Sequence, residues 1–159
     1  MILDTRKTLP GWRWLDKMAV RAGGGQNHRM GLYDRVMLKD NHLCALDDSG
    51  MQASIDAFKA DYPGVEVEIE TDNLEQVKAF LRLKNVDYLL LDNMTNAQLR
   101  EAVDINNTEI KLEASGGVNL DTVRAIAETG VDFISVGALT HSVKALDLGP
   151  VSYTHLTLP

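Results

Sequence analysis

The sequence predicts an α/β fold, an open or incomplete (β/α) barrel of about six parallel strands, TIM-barrel-like in plan. Three observations lead there. Short β-rich runs alternate with amphipathic helical stretches, the pattern of a parallel sheet. From Glu68 onward the strand ends recur every ~22 to 24 residues, the length of one compact helix-plus-strand unit. The strand ends are polar or glycine-rich on several different strands, as barrels require at one rim, whereas a doubly wound sheet gathers its ligand groups at a single switch point.

The strands are expected at 1–4, 36–39, 65–69, 88–92, 110–114 and 133–137. Six runs against the eight strands of a closed barrel make the barrel incomplete. Between them, Leu74, Val77, Phe80 and Leu81 keep one helical face, as do Leu120, Val123, Ile126 and Ala127. Asp72 and Asn119 are the expected N-caps and Gly130 a helix stop. Residues 12–22 read as a further helix, ended by Gly23, Gly24 and Gly25. Residues 1–150 are expected to form one domain, while 151–159, uncharged and threonine-rich, match no upstream pattern and read as a non-native tail in which His155 is discounted.

The 159 residues, 45% hydrophobic and 25% charged, fit one globular domain with a real core. The net charge of −7 argues against nucleic-acid binding, which needs a broad basic face. No apolar run reaches the ~20 residues of a membrane span, and the absence of a secretion signal favours the cytoplasm. The single cysteine, Cys44, fits a reducing compartment and reads as a small buried hydrophobe.

Charge is unevenly placed. Between Asp4 and His42, eight Lys or Arg stand against four acids, a net +4, while eight against nineteen leave −11 after it. Arg6, Lys7, Gly23, Gly24, Gly25, His28, Arg29, Lys39, Asp40, Asn41 and His42 fall at turns or strand ends and not on helix faces, so they are expected round an anion. Arg6, Arg29 and Lys39, with Lys7 and His28, suit a substrate bearing two carboxylates, because guanidinium forks match carboxylates bidentately. Asp40 and His42 are read as orienting partners of those cations. A metal held by His28 and His42 lacks close ligand spacing. The triple glycine is not a nucleotide fingerprint, since the spacing of that motif is absent.

Ser115-Gly116-Gly117 and the run from Gly137 to Ser142 follow the last two strands, where barrels bind phosphate through exposed backbone N–H groups. Two tight turns needing glycine is the alternative; both loops together favour phosphate, with His141 as an added donor. Glu68 and Asp92 end neighbouring strands, so their carboxylates are expected to converge on Mg²⁺, on sugar hydroxyls, or on developing positive charge. Glu66, Glu68 and Glu70 share one side of a strand by its period of two, and pairing of Glu66 and Glu68 with Lys7 and Lys39 is the competing account. Glu113 carries the same ambiguity.

Seven segments, D-T-R-K-T-L-P-G, A-V-R-A-G-G-G-Q-N-H-R-M-G-L-Y-D, L-K-D-N-H, V-E-V-E, L-L-L-D-N-M, L-E-A-S-G-G-V and I-S-V-G-A-L-T-H-S, closely resemble quinolinate phosphoribosyltransferases, the carboxylating nicotinate-nucleotide pyrophosphorylases of NAD biosynthesis. The resemblance runs in order over about residues 2–148 and implies the family's C-terminal barrel, without its N-terminal sandwich domain. It implies phosphoribosyl transfer from phosphoribosyl pyrophosphate to quinolinate, with decarboxylation, giving nicotinate mononucleotide, pyrophosphate and CO₂, with Mg²⁺ as cofactor. It also implies a homodimer or higher homo-oligomer whose sites are shared between subunits, the partner's sandwich domain adding an arginine. The barrel alone is therefore expected to bind phosphates and turn over little or nothing.

By the same resemblance Arg6, His28, Arg29 and Lys39 bind the quinolinate carboxylates, and Lys7 lies near the phosphoribosyl donor. Glu68 and Asp92 serve the ribose and Mg²⁺, while Ser115, Gly116, Gly117, Gly137 and His141 form the 5′-phosphate site. Lys7, Lys39, Glu68 and Asp92 are the expected catalytic set. Three rival readings are a paralogous transferase associated with molybdenum transport, against which L-K-D-N-H speaks, a non-catalytic phosphate-binding barrel or interface module, and a barrel isomerase or aldolase using Lys39 as a Schiff base.

Overall fold

The computed structural model describes residues 1–39 and 48–150. Asp40 and His42, read above as orienting groups, Asn41, expected with them round an anion, Cys44, read as a buried thiol, and the tail 151–159 lie outside the described residues. The elements in chain order are β1 (Ile2–Leu3), α1 (Arg13–Ala22), β2 (Arg35–Leu38), α2 (Asp48–Asp61), β3 (Glu66–Thr71), α3 (Leu74–Phe80), β4 (Tyr88–Asp92), α4 (Asn96–Ile105), β5 (Lys111–Ser115), α5 (Val123–Ala127), β6 (Phe133–Ser135) and α6 (Ala138–His141). All six strands pair in parallel in the order β1-β6-β5-β4-β3-β2, with β1 and β2 at the two edges, so the barrel is open as expected.

Alternation along the strands separates two faces. Val67, Ile69, Leu89, Leu91, Leu112, Ala114 and Ile134 point outward and form the core with Met51 and Ile55 of α2, Val77 and Phe80 of α3, Leu99 and Ala102 of α4, and Ile126 of α5. The opposite, concave face carries Met37, Glu68, Tyr88 and Lys111 in one register and Glu70, Leu90, Glu113 and Phe133 in the next. Three glutamates thus share this face with Met37, Tyr88, Leu90 and Phe133, and Tyr88 packs against Phe133 there.

Helix boundaries follow local chemistry. The N-cap of α3 is Asn73, whose side chain accepts from the Gln76 N–H, and not the expected Asp72. Thr95 and Gln98 form a capping box on α4. Asn119 caps the turn before α5, accepting from the N–H groups of Asp121 and Thr122, while the helix itself begins at Val123. Gly130 adopts φ +97°, which suits the reversal into β6. The glycine triplet closes α1 and turns the chain so that Gln26 bridges Leu3 in parallel. A Cβ on Gly25 would meet Val20 Cγ1 at 2.8 Å, so the close return beside α1 requires glycine there.

Candidate active site

A buried brace sets the basic segments. Asp4 lies wholly inside at the end of β1, and its Oδ1 accepts from Lys17 Nζ at 2.5 Å and from the His28 N–H at 2.8 Å. Asn27 Nδ2 donates to the other oxygen of Asp4 at 2.6 Å, and Lys17 Nζ also donates to the His28 carbonyl at 3.1 Å. A buried charge pair persists only when its remaining valences are satisfied, and here the satisfying groups belong to three separate segments. The brace therefore fixes residues 4–7 against residues 27–29, bringing Arg6 and Lys7 to the same cavity as His28 and Arg29.

That cavity, about 280 Å³, is lined by Arg6, Lys7, His28, Arg29, Lys39, Glu70, Asp92 and Ser115 among others. Arg29 is 9% exposed, and among the described residues its guanidinium donates to the Arg35 carbonyl at 3.4 Å and to Met37 Sδ at 3.2 Å. No carboxylate lies within ion-pair distance of it among the described residues. Burial, then the neighbouring charge of Arg6, pull its pKa down, as for a desolvated cation beside a like charge. Such a group is stabilised by an incoming anion.

A second cavity of about 470 Å³ adjoins the first and shares Thr5, Lys7, Asp92, Ser115 and Ser135 with it. Its far wall is Asn93, Gly116, Gly117, Gly137, Ala138 and His141. Gly116 sits at φ +95°, where a Cβ would lie 2.1 Å from Asn93 Oδ1. At Gly137 a Cβ would meet His141 Nε2 at 2.9 Å, so glycine leaves that imidazole its place. Asn93, itself at φ 52°, donates from Nδ2 to Asp92 Oδ2 at 2.8 Å and steadies that carboxylate at the junction of the two cavities.

Beneath the first cavity lies a buried charged floor. Glu68 and Glu113 have side chains without solvent exposure, and His28 Nε2 is 3.3 Å from Glu68 Oε2 and 3.4 Å from Glu113 Oε1. Arg35 Nη1 is 3.6 Å from Glu68 and 3.9 Å from Glu113, while Nη2 pairs with Glu66 at 2.8 Å. Its guanidinium stacks 4.1 Å over the Tyr88 ring. Ser135 donates its hydroxyl to Glu113. Burial pulls the His28 pKa down, but the carboxylates of Glu113 and Glu68 outweigh it and lift it to about 9.

The same three residues, His28, Glu68 and Glu113, place potential metal-ligand atoms within 4.8 Å of one another. A metal is nevertheless a poor occupant. With its pKa lifted to about 9 by Glu113 and Glu68, His28 is protonated at neutral pH, and a protonated imidazole offers a metal no lone pair. Arg35 already supplies the cation.

Of the expected site residues, Arg6, Lys7, His28, Arg29, Lys39, Asp92 and Ser115 line the first cavity, and Lys7, Asp92, Ser115, Gly116, Gly117, Gly137 and His141 the second. Glu68 is the correction. Strand β3 runs to Thr71, two residues beyond the expected end, so Glu70 is the inward carboxylate on the cavity wall and Glu68 lies in the floor below. Glu70 and Asp92, and not Glu68 and Asp92, are therefore the two carboxylates that line the cavity. The competing ion pairs are right in kind but wrong in partners: Glu66 pairs with Arg35 and Glu70 with Lys39. Sequence reasoning missed Arg35, Asp4 and Lys17; an acid-base pair thirteen residues apart carries no periodic signal.

Comparison with known proteins decides the family. Residues 1–149 match the family described as quinolinate phosphoribosyl transferase, C-terminal domain. The chain belongs to the quinolinate phosphoribosyltransferase family. A carboxylating nicotinate-nucleotide pyrophosphorylase from Mycobacterium leprae is 47% identical over 151 residues, covering 93% of this chain and 52% of that protein. The chloroplastic one from Arabidopsis thaliana is 44% identical over 173 residues, covering 99% and 50%. The solved structure of the nicotinate-nucleotide pyrophosphorylase from Francisella tularensis superposes with a TM-score of 0.84 at 42% identity, covering 92% of this chain and 51% of that one. This member of the family thus spans about half the length of the relatives it matches. Thiamine phosphate pyrophosphorylase from Pyrococcus furiosus shares the fold alone, at TM-score 0.56 and 19% identity.

Proposed function

We propose that this chain carries the barrel half of an enzyme that transfers the phosphoribosyl group of phosphoribosyl pyrophosphate to quinolinate, with loss of CO₂, to give nicotinate mononucleotide in NAD biosynthesis. The observation that carries the reading is Arg29, a buried guanidinium with no carboxylate at ion-pair distance among the described residues, facing a cavity shared with Arg6, Lys7 and Lys39. Two carboxylates on adjacent ring carbons suit that cluster, and the adjoining glycine-lined cavity suits the 5′-phosphate. Its continuity with the first supports a sugar lying between them, next to Asp92.

In this reading Arg29, Arg6 and Lys39 hold the dicarboxylate with its ring nitrogen toward the ribose C1. The nitrogen attacks C1 as pyrophosphate leaves, and positive charge builds on the sugar. Asp92, steadied by Asn93, stabilises that charge, and Lys7, common to both cavities, meets the phosphate charge. Asp92 and Glu70 both line the first cavity, and their carboxylates are hard oxygen ligands of the kind that would suit Mg²⁺. Bound there, Mg²⁺ supplies neutralisation of the departing pyrophosphate. Once ribosylated, the cationic ring draws in the electron pair released as the C2 carboxylate leaves as CO₂, and C2 then takes a proton. The protein's part in that step is to hold the geometry.

A homo-oligomer is part of this proposal, supported by exposed Trp14, Leu15 and Met18 on α1. So is a cytoplasmic site of action; among the described residues no helix is long and apolar enough to cross a membrane. The test is calorimetric titration of the chain with quinolinate and, separately, with phosphoribosyl pyrophosphate and Mg²⁺. Both should bind. A chain that takes up inorganic phosphate and ignores quinolinate is a phosphate-binding module instead.

A further inference from the structure

We propose that Arg13 and Thr140 are positioning residues that hold the turn carrying Arg6 and Lys7 from its two sides, Arg13 setting the dicarboxylate cavity and Thr140 the phosphate cavity. The ligands named here rest on the reading of the two cavities given above.

Arg6 and Lys7 are neighbours in the chain that serve different places. Arg6 lines the first cavity alone, while Lys7 lines both. The turn that bears them is tight: the Thr8 N–H donates to the Arg6 carbonyl at 3.0 Å, and the Lys7 N–H to Thr5 Oγ1 at 3.1 Å. Such local bonds shape a turn without tying it to the rest of the molecule.

One tie comes from α1. Arg13, its first residue, donates from Nη2 to the Arg6 carbonyl at 3.2 Å, from Nε to Thr8 Oγ1 at 3.1 Å and from Nη1 to the Met30 carbonyl at 3.2 Å. Among the described residues no carboxylate lies at ion-pair distance from this guanidinium. Three neutral acceptors on two segments use its planar fork as a spacer, a geometry that the single ammonium of a lysine does not reproduce. Met30 directly follows Arg29, and its own N–H donates to Asp34 Oδ2 at 2.5 Å, so the chain beyond Arg29 is held on both sides. One side chain thereby sets Arg6 relative to Arg29, the two arginines that line the first cavity.

Thr140 holds the turn from the other side. It is wholly buried, and its hydroxyl donates to the Lys7 carbonyl at 2.7 Å across 133 residues of chain; the Gly137 carbonyl, at 3.3 Å, is the more distant acceptor. The Lys7 side chain runs beside Gly137, where a Cβ would lie 3.8 Å from Lys7 Cδ. Thr140 belongs to the segment that gives Gly137, Ala138 and His141 to the second cavity, so this bond joins Lys7 to the glycine wall. Arg13 and Thr140 line neither cavity, and both act through main-chain carbonyls of residues that do.

The test titrates Arg13→Lys, Arg13→Gln, Thr140→Val and Thr140→Ser with quinolinate and, separately, with phosphoribosyl pyrophosphate and Mg²⁺. Both Arg13 variants should bind quinolinate about tenfold more weakly and phosphoribosyl pyrophosphate within about threefold of wild type. Thr140→Val, which keeps the shape and removes the donor, should show the reverse pattern, and Thr140→Ser, which restores the donor, should recover. Equal losses for both ligands make the two residues merely structural and overturn the proposal, as do unchanged affinities. Arg13→Lys at wild-type affinity overturns it too, since charge alone would then suffice. A measurement on the wild-type chain covers variants that fail to fold. With all three bonds in place Arg13 cannot rotate freely about Nε–Cζ, so its Nη1 and Nη2 should give separate ¹⁵N resonances; one averaged signal contradicts the proposal. If wild type ignores quinolinate, the dicarboxylate reading fails by itself, and the Thr140 variants with phosphoribosyl pyrophosphate and the Arg13 resonances still decide whether the turn is held.

Discussion

Asp4 and Lys17 meet 2.5 Å apart with side chains 0% and 2% exposed, and they join the end of β1 to α1 where the chain turns toward Arg6. Removing one partner of a buried pair strands the other charge, at about 3–5 kcal/mol. Lys17→Met should therefore unfold at markedly lower urea concentration than wild type. The double variant Asp4→Asn, Lys17→Met should recover part of that loss, as a denaturant midpoint series will show; equal midpoints for single and double variants contradict a paired role.

Gly116 makes a second, local prediction. Its φ of +95° and the 2.1 Å approach of a built Cβ to Asn93 Oδ1 mean that Gly116→Ala must move Asn93. The backbone cost is about 1–3 kcal/mol, and the moved Asn93 releases Asp92. Thermal denaturation should show the loss, and phosphate affinity measured by titration should fall with it, whereas Gly64→Ala, with open space and no left-handed φ, should leave phosphate affinity unchanged.

The floor predicts a pH dependence of stability. Burial acting alone lowers the His28 pKa, but Glu113 and Glu68 raise it from 6.5 to about 9, so the folded chain holds this proton more tightly than the unfolded chain. Its contribution is fully present below pH 6.5 and is lost as pH rises through about 9. Denaturant midpoints should fall over that window in wild type, and His28→Gln should flatten this part of the profile. A wild-type profile level over that window contradicts the raised value.

Much of the fold was legible because parallel strands buried on their outer face repeat Val, Ile and Leu, and β4 lies at 88–92 as expected. The end of β3 was not, because Glu66, Glu68 and Glu70 alternate identically with Val67 and Ile69, and nothing local marks where such a run stops. One further pair of residues changes which glutamate faces the cavity. The gathering of Arg6, Arg29, Lys39 and Asp92 was legible from their positions at strand ends. Arg35 escaped notice because it opens β2 at the barrel floor, where only the pairing of β2 with β3 sets it against Glu66 and near Glu68.

Arg29 is expected to hold a dicarboxylate in a cavity distinct from, though continuous with, the glycine loops. Replacing it with alanine and titrating with quinolinate and inorganic phosphate in parallel measures this directly. Removing a charge-assisted contact worth about 2–3 kcal/mol should weaken quinolinate binding roughly 30- to 150-fold. Phosphate binding should stay within about twofold, as rim changes away from a ligand are near neutral. Unchanged quinolinate binding in Arg29→Ala contradicts the account.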